Sequence, residues 1–147
     1  MTLSAEQRFG DAAAEVVAAR TEILFAARHD VLDTSDTEGV HRMRVATRRL
    51  RAALEVFRPC LDRQQAARAL SEVKALAAAL GERRDRDVQL ERLEGLHALT
   101  AGAERRALDI LGDELRREQR RANRRLEKAL EQADRAHLHR RLARLAR

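Results

Sequence analysis

The chain has 147 residues, of which 44% are hydrophobic and 37% charged, a length that suits one domain with a buried core. One proline, six glycines and 2% aromatic residues predict an all-α protein with a core of Leu, Ala, Val and Ile. The polar N-terminus and the short apolar runs argue against a signal peptide or a membrane-spanning helix, which needs about 20 apolar residues. The single cysteine, Cys60, excludes an internal disulfide and predicts a cytoplasmic location.

The charge balance points to an anionic partner. The formal net charge is +6, as expected for a protein that binds nucleic acid, a phosphate polymer or a membrane surface. Only Lys74 and Lys128 among the 30 basic residues are lysine, and the planar arginine fork can bond two phosphate oxygens at once. A GC-rich genome would also enrich Ala and Arg, so the positions of the arginines carry more information than their number.

The first half of the chain predicts two helices. Apolar residues at three- and four-residue steps predict a helix over about 5–31, with Ser4 as its N-cap. Its predicted buried stripe includes Phe9, Ala13, Val17, Ile23 and Leu24. The Asp-, Thr-, Ser- and Gly-rich segment 33–40 then ends this helix and caps the next. The second helix is predicted over about 37–57, because Pro59 prevents it from continuing much further.

The second half predicts three more helices. The third runs from about residue 63, with Asp62 as N-cap, to Leu80, where Gly81 is a natural stop. A loop leads into the fourth, from residue 85 or 86 to 99, and a break at 100–103 separates it from a long fifth helix over about 104–133. The tail 135–147 extends or follows that helix. We therefore predict one domain over 1–147, an antiparallel bundle of four to five helices in which a short third and fourth helix complete three long ones.

The second predicted helix carries a dense basic segment, VHRMRVATRRLR over 40–51. At about 100° per residue, one face is apolar and predicted to be core: Met43, Leu50, Leu54 and Phe57. Beside it, steps of three, four and three residues align four basic side chains: His41, Arg44, Arg48 and Arg51. Arg42 and Arg49 lie on the opposite flank of the core stripe. Neighbouring like charges at this spacing each cost roughly a few tenths of a kcal/mol, which an anionic ligand would offset.

Two interpretations of this row remain open. In the first, it binds an anion. In the second, it is a solvated face that pairs with acidic residues on the first or fifth predicted helix. A second basic group, Lys74 with Arg83, Arg84 and Arg86, could reinforce the first interpretation, since the predicted start of the fourth helix would offer free N–H groups to a phosphate. Asp85 and Asp87 lie among these arginines, and we interpret them as caps or as groups that orient neighbouring arginines.

Two stretches resemble a known family. The run VHRMRVATRRLRAALEVF, followed by LSEVKALAAALGERRDRDV, is similar to the CHAD family, the conserved-histidine alpha-helical domain. That family is characterised by V-H-x-x-R-V-x-x-R-R-L-R and, further on, L-G-x-x-R-D-x-D-V. Both patterns are present with order and spacing intact. The resemblance extends over about 1–145, with the signatures confined to 40–88.

The resemblance implies a helical domain that binds inorganic polyphosphate on a basic surface, without catalysis, cofactor or metal. Carried onto matching positions, it assigns the phosphate contacts to His41, Arg44, Arg48, Arg49 and Arg51, and then to Lys74 and Arg84. The long last helix adds weaker candidates: Arg117, Arg121, Arg124 and Arg125. A cytoplasmic location follows, with polyphosphate granules as one place of association.

The chain departs from the family in one respect. Members usually have roughly double this length and carry two similar bundles that face each other, whereas no second histidine–arginine helix follows Glu104. The chain is therefore either a half-length member or a fragment. A half-length member could form a two-fold homodimer, which would restore two facing basic surfaces.

Three other function classes compete. A nucleic-acid-binding protein would use the same backbone charges, but only three Phe and no Trp or Tyr leave no platform for stacking bases, and no helix-turn-helix or zinc pattern is present. A phosphohydrolase would need a carboxylate cluster for metal ions, and Asp85 with Asp87 is the only compact pair. A protein–protein scaffold could use the basic face to dock an acidic partner.

Overall fold

The computed structural model describes residues 9–145, and all regular structure in this range is helical. The elements are α1 (Phe9–Ala26), α2 (Thr37–Val56), a 3₁₀ turn (Arg58–Cys60), α3 (Arg63–His97), α4 (Gly102–Arg135) and α5 (Leu138–Leu145). The prediction of an all-α helical bundle is confirmed. None of the helices in the described range is long and apolar enough to cross a bilayer.

The first helix is shorter than predicted. It ends at Ala26 rather than near residue 31, and turns follow, with Asp30 in the left-handed region at φ 58°. Its buried stripe agrees with the prediction at Ala13, Val17 and Leu24, but Phe9 and Ile23 are exposed and the polar Thr21 is buried instead. The buried Thr21 hydroxyl donates to the Val17 carbonyl oxygen at 2.8 Å, which removes the cost of an unpaired polar group. The predicted cap Ser4 lies outside the described residues.

The second helix begins and ends where its sequence signals indicate. The Asp36 side chain accepts a hydrogen bond from the Glu38 N–H at 3.0 Å, the expected role of an N-cap. The helix ends at Val56, and Pro59 occupies the 3₁₀ turn that follows. Asp62 then caps α3 by accepting from the Gln65 N–H. These two caps determine where α2 and α3 begin.

The largest difference from the sequence prediction is in α3. The predicted stop at Gly81 and the loop after it are wrong, because α3 is one helix of 35 residues from Arg63 to His97. A glycine inside a helix costs about 1 kcal/mol relative to alanine, a penalty that the packing of a long helix outweighs. The predicted pair of short helices is therefore a single helix, and no helix N-terminus exists at 85–86 to seat a phosphate.

The last two helices agree with the sequence. α4 begins at Gly102, whose φ of +61° favours glycine, and it runs for 34 residues. His137, also in the left-handed region at φ 52°, separates it from α5. The basic tail therefore follows the long helix as a separate element.

α3 is the central helix of the packing. It contacts α2 on one side and α4 on the other, while α5 packs against α1, α3 and α4. The core is aliphatic and draws on all five helices. A bidentate pair between Arg28 and Asp134, with N–O distances of 2.5 and 2.7 Å, ties the segment after α1 to the end of α4. These hydrogen bonds lower the pKa of the Asp134 carboxyl, so the stability that the pair contributes above about pH 4 is lost as the pH falls through that pKa.

Candidate polyanion-binding surface

α2 is held by an apolar side that leaves its basic row in solvent. Val40, Met43, Leu50 and Leu54 are buried, as the sequence indicated for three of them, while Phe57 is only partly buried. The buried Thr47 hydroxyl donates to the Met43 carbonyl oxygen at 2.8 Å, so the core side holds no unpaired hydroxyl. This rotation exposes all four members of the row, His41, Arg44, Arg48 and Arg51, and also Arg49 on the other flank.

Most cations of this face have no acidic partner. Within residues 9–145, no carboxylate lies within 4.0 Å of His41, Arg44, Arg48 or Arg49. Arg51 is the exception, with its Nε 3.5 Å from the Glu55 carboxylate. The row therefore does not pair with acids on the first or last long helix, which was the alternative that the sequence left open. Its centre is an exposed and uncompensated positive stripe.

α3 lies antiparallel beside α2 and brings in Lys74 and Arg84. Glu55 near the end of α2 is 3.6 Å from Lys74 Nζ, and Thr37 at the start of α2 donates to Glu91 at 3.0 Å. Arg84 NH1 donates to the same Glu91 oxygen at 3.1 Å. Lys74 and Arg84 are thus about 15 Å apart along α3, which matches the rise of about 15 Å from His41 to Arg51 on α2. The two predicted cations of α3 flank the two ends of the row.

The stretch of α3 between these two cations carries small side chains. Ala77, Ala78 and Gly81 occupy it, and a Cβ added at Gly81 would meet nothing within 4 Å. Small residues here leave the side of the row that faces α3 open to a ligand.

Arg121 and Arg124 are on α4, which α3 separates from α2. The described residues of α2 and α4 do not contact each other. Arg121 lies 3.4 Å from Glu114 and lines a groove of about 410 Å³ between α3 and α4, together with Glu82, Arg86 and Glu118. Arg124 is exposed. The structure therefore groups seven of the nine predicted site residues along α2 and its α3 flank and leaves these two on a neighbouring helix.

The arginines around residue 84 do not form one basic group. Because α3 is continuous, successive residues turn in different directions, so Arg86 meets Glu118 on α4 at 2.7 Å while Arg84 meets Glu91. Arg83 turns inward and is fully buried. The second basic group proposed from the sequence is thus dispersed over three directions.

Arg83 is the centre of a buried polar network that the sequence reasoning missed. Its Nε donates to Asp87 at 3.0 Å, its NH1 donates to Asn123 at 2.9 Å, and Gln119 donates to Asp87 at 2.7 Å. Asn123 in turn donates to the Leu32 carbonyl oxygen at 2.9 Å. Burial raises the pKa of the Asp87 carboxyl, although the hydrogen bonds from Gln119 and Arg83 act in the opposite direction. The network joins α3, α4 and the loop before α2.

This network also corrects the interpretation of the two aspartates. Asp87 is not a helix cap, because it lies within α3, and it does orient a neighbouring arginine. Asp85 is exposed while Asp87 is fully buried, so the two carboxylates point to different environments. Among the described residues, no group of three or more His, Cys, Asp or Glu side chains is arranged to hold a metal ion.

Comparison with known families agrees with these features. The family model of the CHAD domain matches residues 15–147, nearly the whole chain. The protein belongs to the CHAD family. No curated protein matches the sequence at a significant level.

In this CHAD domain, the two signature stretches have different roles in the fold. The first, 40–51, supplies the exposed cations of α2. The second, 80–88, lies on the neighbouring part of α3 and contains the inward-facing Arg83 and Asp87. Arg84 of this stretch donates to Glu91, which lies on α3 three residues beyond the end of the stretch and also accepts from Thr37 at the start of α2. One signature therefore presents charge, and the other supplies the buried pair that joins α3 to α4 and to the segment before α2.

Proposed function

We propose that this CHAD domain binds inorganic polyphosphate along α2, without cleaving it. The observation that carries the proposal is the unpaired stripe of His41, Arg44 and Arg48 on an exposed helix face. Arginine forks are suited to phosphate oxygens, and domains of this family bind polyphosphate. Polymer binding would convert the repulsion within the row into attraction.

The same surface offers little to nucleic-acid bases. Each of the three Phe rings packs against another ring: Phe9 against Phe57, with centroids 5.2 Å apart, and Phe25 against His139 at 4.5 Å. A phosphate polymer without bases can bind the arginines equally well, and it has no bases that would need a stacking partner. This favours a phosphate polymer over a single-stranded nucleic acid.

Competition tests this choice. Long-chain polyphosphate should displace labelled duplex DNA from the wild-type protein at a phosphate concentration at least about ten-fold lower than unlabelled DNA requires, and binding should weaken steeply with salt. Polyphosphate recovered after incubation with magnesium should keep its original chain length. Preferential binding of DNA would support the alternative class, and shortened chains would show catalysis.

The proposal includes a second copy of the chain as partner. Beyond Glu91, α3 extends past the start of α2, and the end of the α3–α4 hairpin keeps large apolar side chains in solvent. Leu96 is 54% exposed, Leu99 86% and Ile110 72%. Large exposed apolar side chains at the end of one hairpin are a candidate contact surface for a second copy. A cytoplasmic location, with polyphosphate granules as one place of association, stays a prediction.

Sedimentation equilibrium tests the dimer. The wild type should have twice the 16.7 kDa chain mass, and Leu99→Gln/Ile110→Gln should shift it toward the monomer while leaving its helical content unchanged. A wild-type monomer that still binds long-chain polyphosphate tightly would discard the dimer and leave the binding proposal intact.

A further inference from the structure

Glu55 is an acidic residue inside the proposed binding surface. One of its carboxylate oxygens lies 3.5 Å from Arg51 Nε and 3.6 Å from Lys74 Nζ. The three side chains are 44–52% exposed, so solvent and ligands can reach them. A single carboxylate is thus shared by two of the cations assigned to phosphate.

The second carboxylate of the surface, Glu91, is held differently. It accepts hydrogen bonds from Arg84 at 3.1 Å and from Thr37 at 3.0 Å, and Arg84 is only 20% exposed. Glu91 therefore connects α3 to the start of α2 and has a structural role. The two carboxylates are similarly exposed, at 44% for Glu55 and 47% for Glu91, but the Glu55 contacts are longer than ordinary hydrogen bonds. The cations that Glu55 contacts are also more exposed than Arg84, so its contacts are the easier ones to exchange for another anion.

The basic path continues past Glu55. Lys74 and Arg58 line a cavity of about 300 Å³ between the end of α2 and the start of α3, with Ser71 beside them and Leu54 and Ala66 at its floor. Glu55 therefore lies between the unpaired cations, Arg44 and Arg48, and the cations at the end of the path.

We propose that Glu55 is a built-in competitor for phosphate, displaced only by a polyanion long enough to reach it from Arg44 and Arg48. The inference rests on the proposed function. A phosphate between Arg51 and Lys74 would occupy the place of the carboxylate. A long chain already bound to the unpaired cations has a high local concentration there, whereas a short chain is satisfied by the unpaired cations and leaves Glu55 in place. Glu55 thus limits the affinity for long chains and keeps their binding reversible.

The test compares wild type and Glu55→Gln across ligand length. Titration with tripolyphosphate should show less than about a two-fold gain, and titration with long-chain polyphosphate a gain of about three- to ten-fold, as expected when two exposed ion pairs no longer have to be broken. The ratio of the two affinities should rise with chain length and then level off. Adding Lys74→Gln should reduce this gain, since one of the released cations is then absent.

Glu131→Gln is the matched control. It removes one negative charge from a glutamate paired with an arginine four residues away, at 3.1 Å, near the end of α4. An equal gain for both variants, or the same gain at every chain length, would overturn the inference while leaving polyphosphate binding established. Absence of long-chain binding in the wild type would instead overturn the proposed function, and the inference with it.

Discussion

Reversing two charges of the row, Arg44→Glu/Arg48→Glu, should weaken the binding of long-chain polyphosphate by about 100-fold or more. Both arginines are exposed, and neither has an acidic partner among the described residues, so their full charge is available to the ligand. Hydrogen bonds to charged groups each contribute about 1.5–3 kcal/mol, and the new carboxylates repel the polymer. Isothermal titration calorimetry at fixed ionic strength measures the loss.

The fold should survive this change. Neither side chain contributes to the core, and the substitution reduces repulsion along α2, so the thermal midpoint should stay the same or rise slightly. Arg140→Glu/Arg144→Glu on α5 is a matched control, because these arginines are exposed, are also four residues apart and lie on a helix that does not contact α2. The control should lose less than about three-fold at physiological salt, where distant charges are screened. Equal losses in both pairs would mean that net charge, and not the row, determines binding.

The parts of this structure that local signals determine could be predicted from the sequence. Asp36 and Pro59 bound α2, and the apolar spacing of Met43, Leu50 and Leu54 fixes its rotation. Exposure of Arg44 and Arg48 follows from that rotation. The charged centre of the candidate site was therefore accessible from periodicity and capping alone.

The interior of α3 could not be predicted from local signals. Glycine often ends a helix, but at Gly81 the packing of α3 against its neighbours keeps the helix continuous. Once α3 is continuous, its buried stripe passes from Val73 and Leu80 to Arg83 and Asp87 at steps of three and four residues. A stop at Gly81 interrupts this count, so the two charged residues were assigned to a loop. Extending the stripe through the glycine is the signal that would have found them.

The buried stripe of α1 was predicted only in part, for a related reason. The apolar pattern correctly indicates Ala13, Val17 and Leu24, but it also includes the exposed Phe9 and Ile23 and omits the buried, polar Thr21. Its hydroxyl is satisfied by the backbone of its own helix, a local solution that a count of hydrophobic residues cannot recognise. The partner of each arginine is likewise set by which helix lies next to it, so the roles of Glu55 and Glu91 emerged only with the packing of α2 on α3.

Asp87→Ala should destabilise the protein by about 3–5 kcal/mol, because it leaves the Arg83 guanidinium buried without its counter-charge. Arg83 and Asp87 are both fully buried, and the carboxylate also accepts from Gln119. Asp85→Ala is the control: this aspartate lies two residues earlier in the same signature but is exposed, so its loss should stay within about 0.5 kcal/mol. Urea unfolding followed by circular dichroism measures both free energies, and similar values for the two variants would contradict a structural role for the buried pair.

A double variant that removes both charges distinguishes the loss of the counter-charge from the loss of the whole ion pair. Arg83→Met/Asp87→Leu should cost less than Asp87→Ala, because apolar residues of similar size can replace a buried ion pair at little net cost. Burial raises the pKa of Asp87, which reflects the cost of removing its carboxylate from water, and the apolar double variant avoids that cost. Urea unfolding at neutral pH compares the variants, and a double variant as unstable as Asp87→Ala would contradict this account.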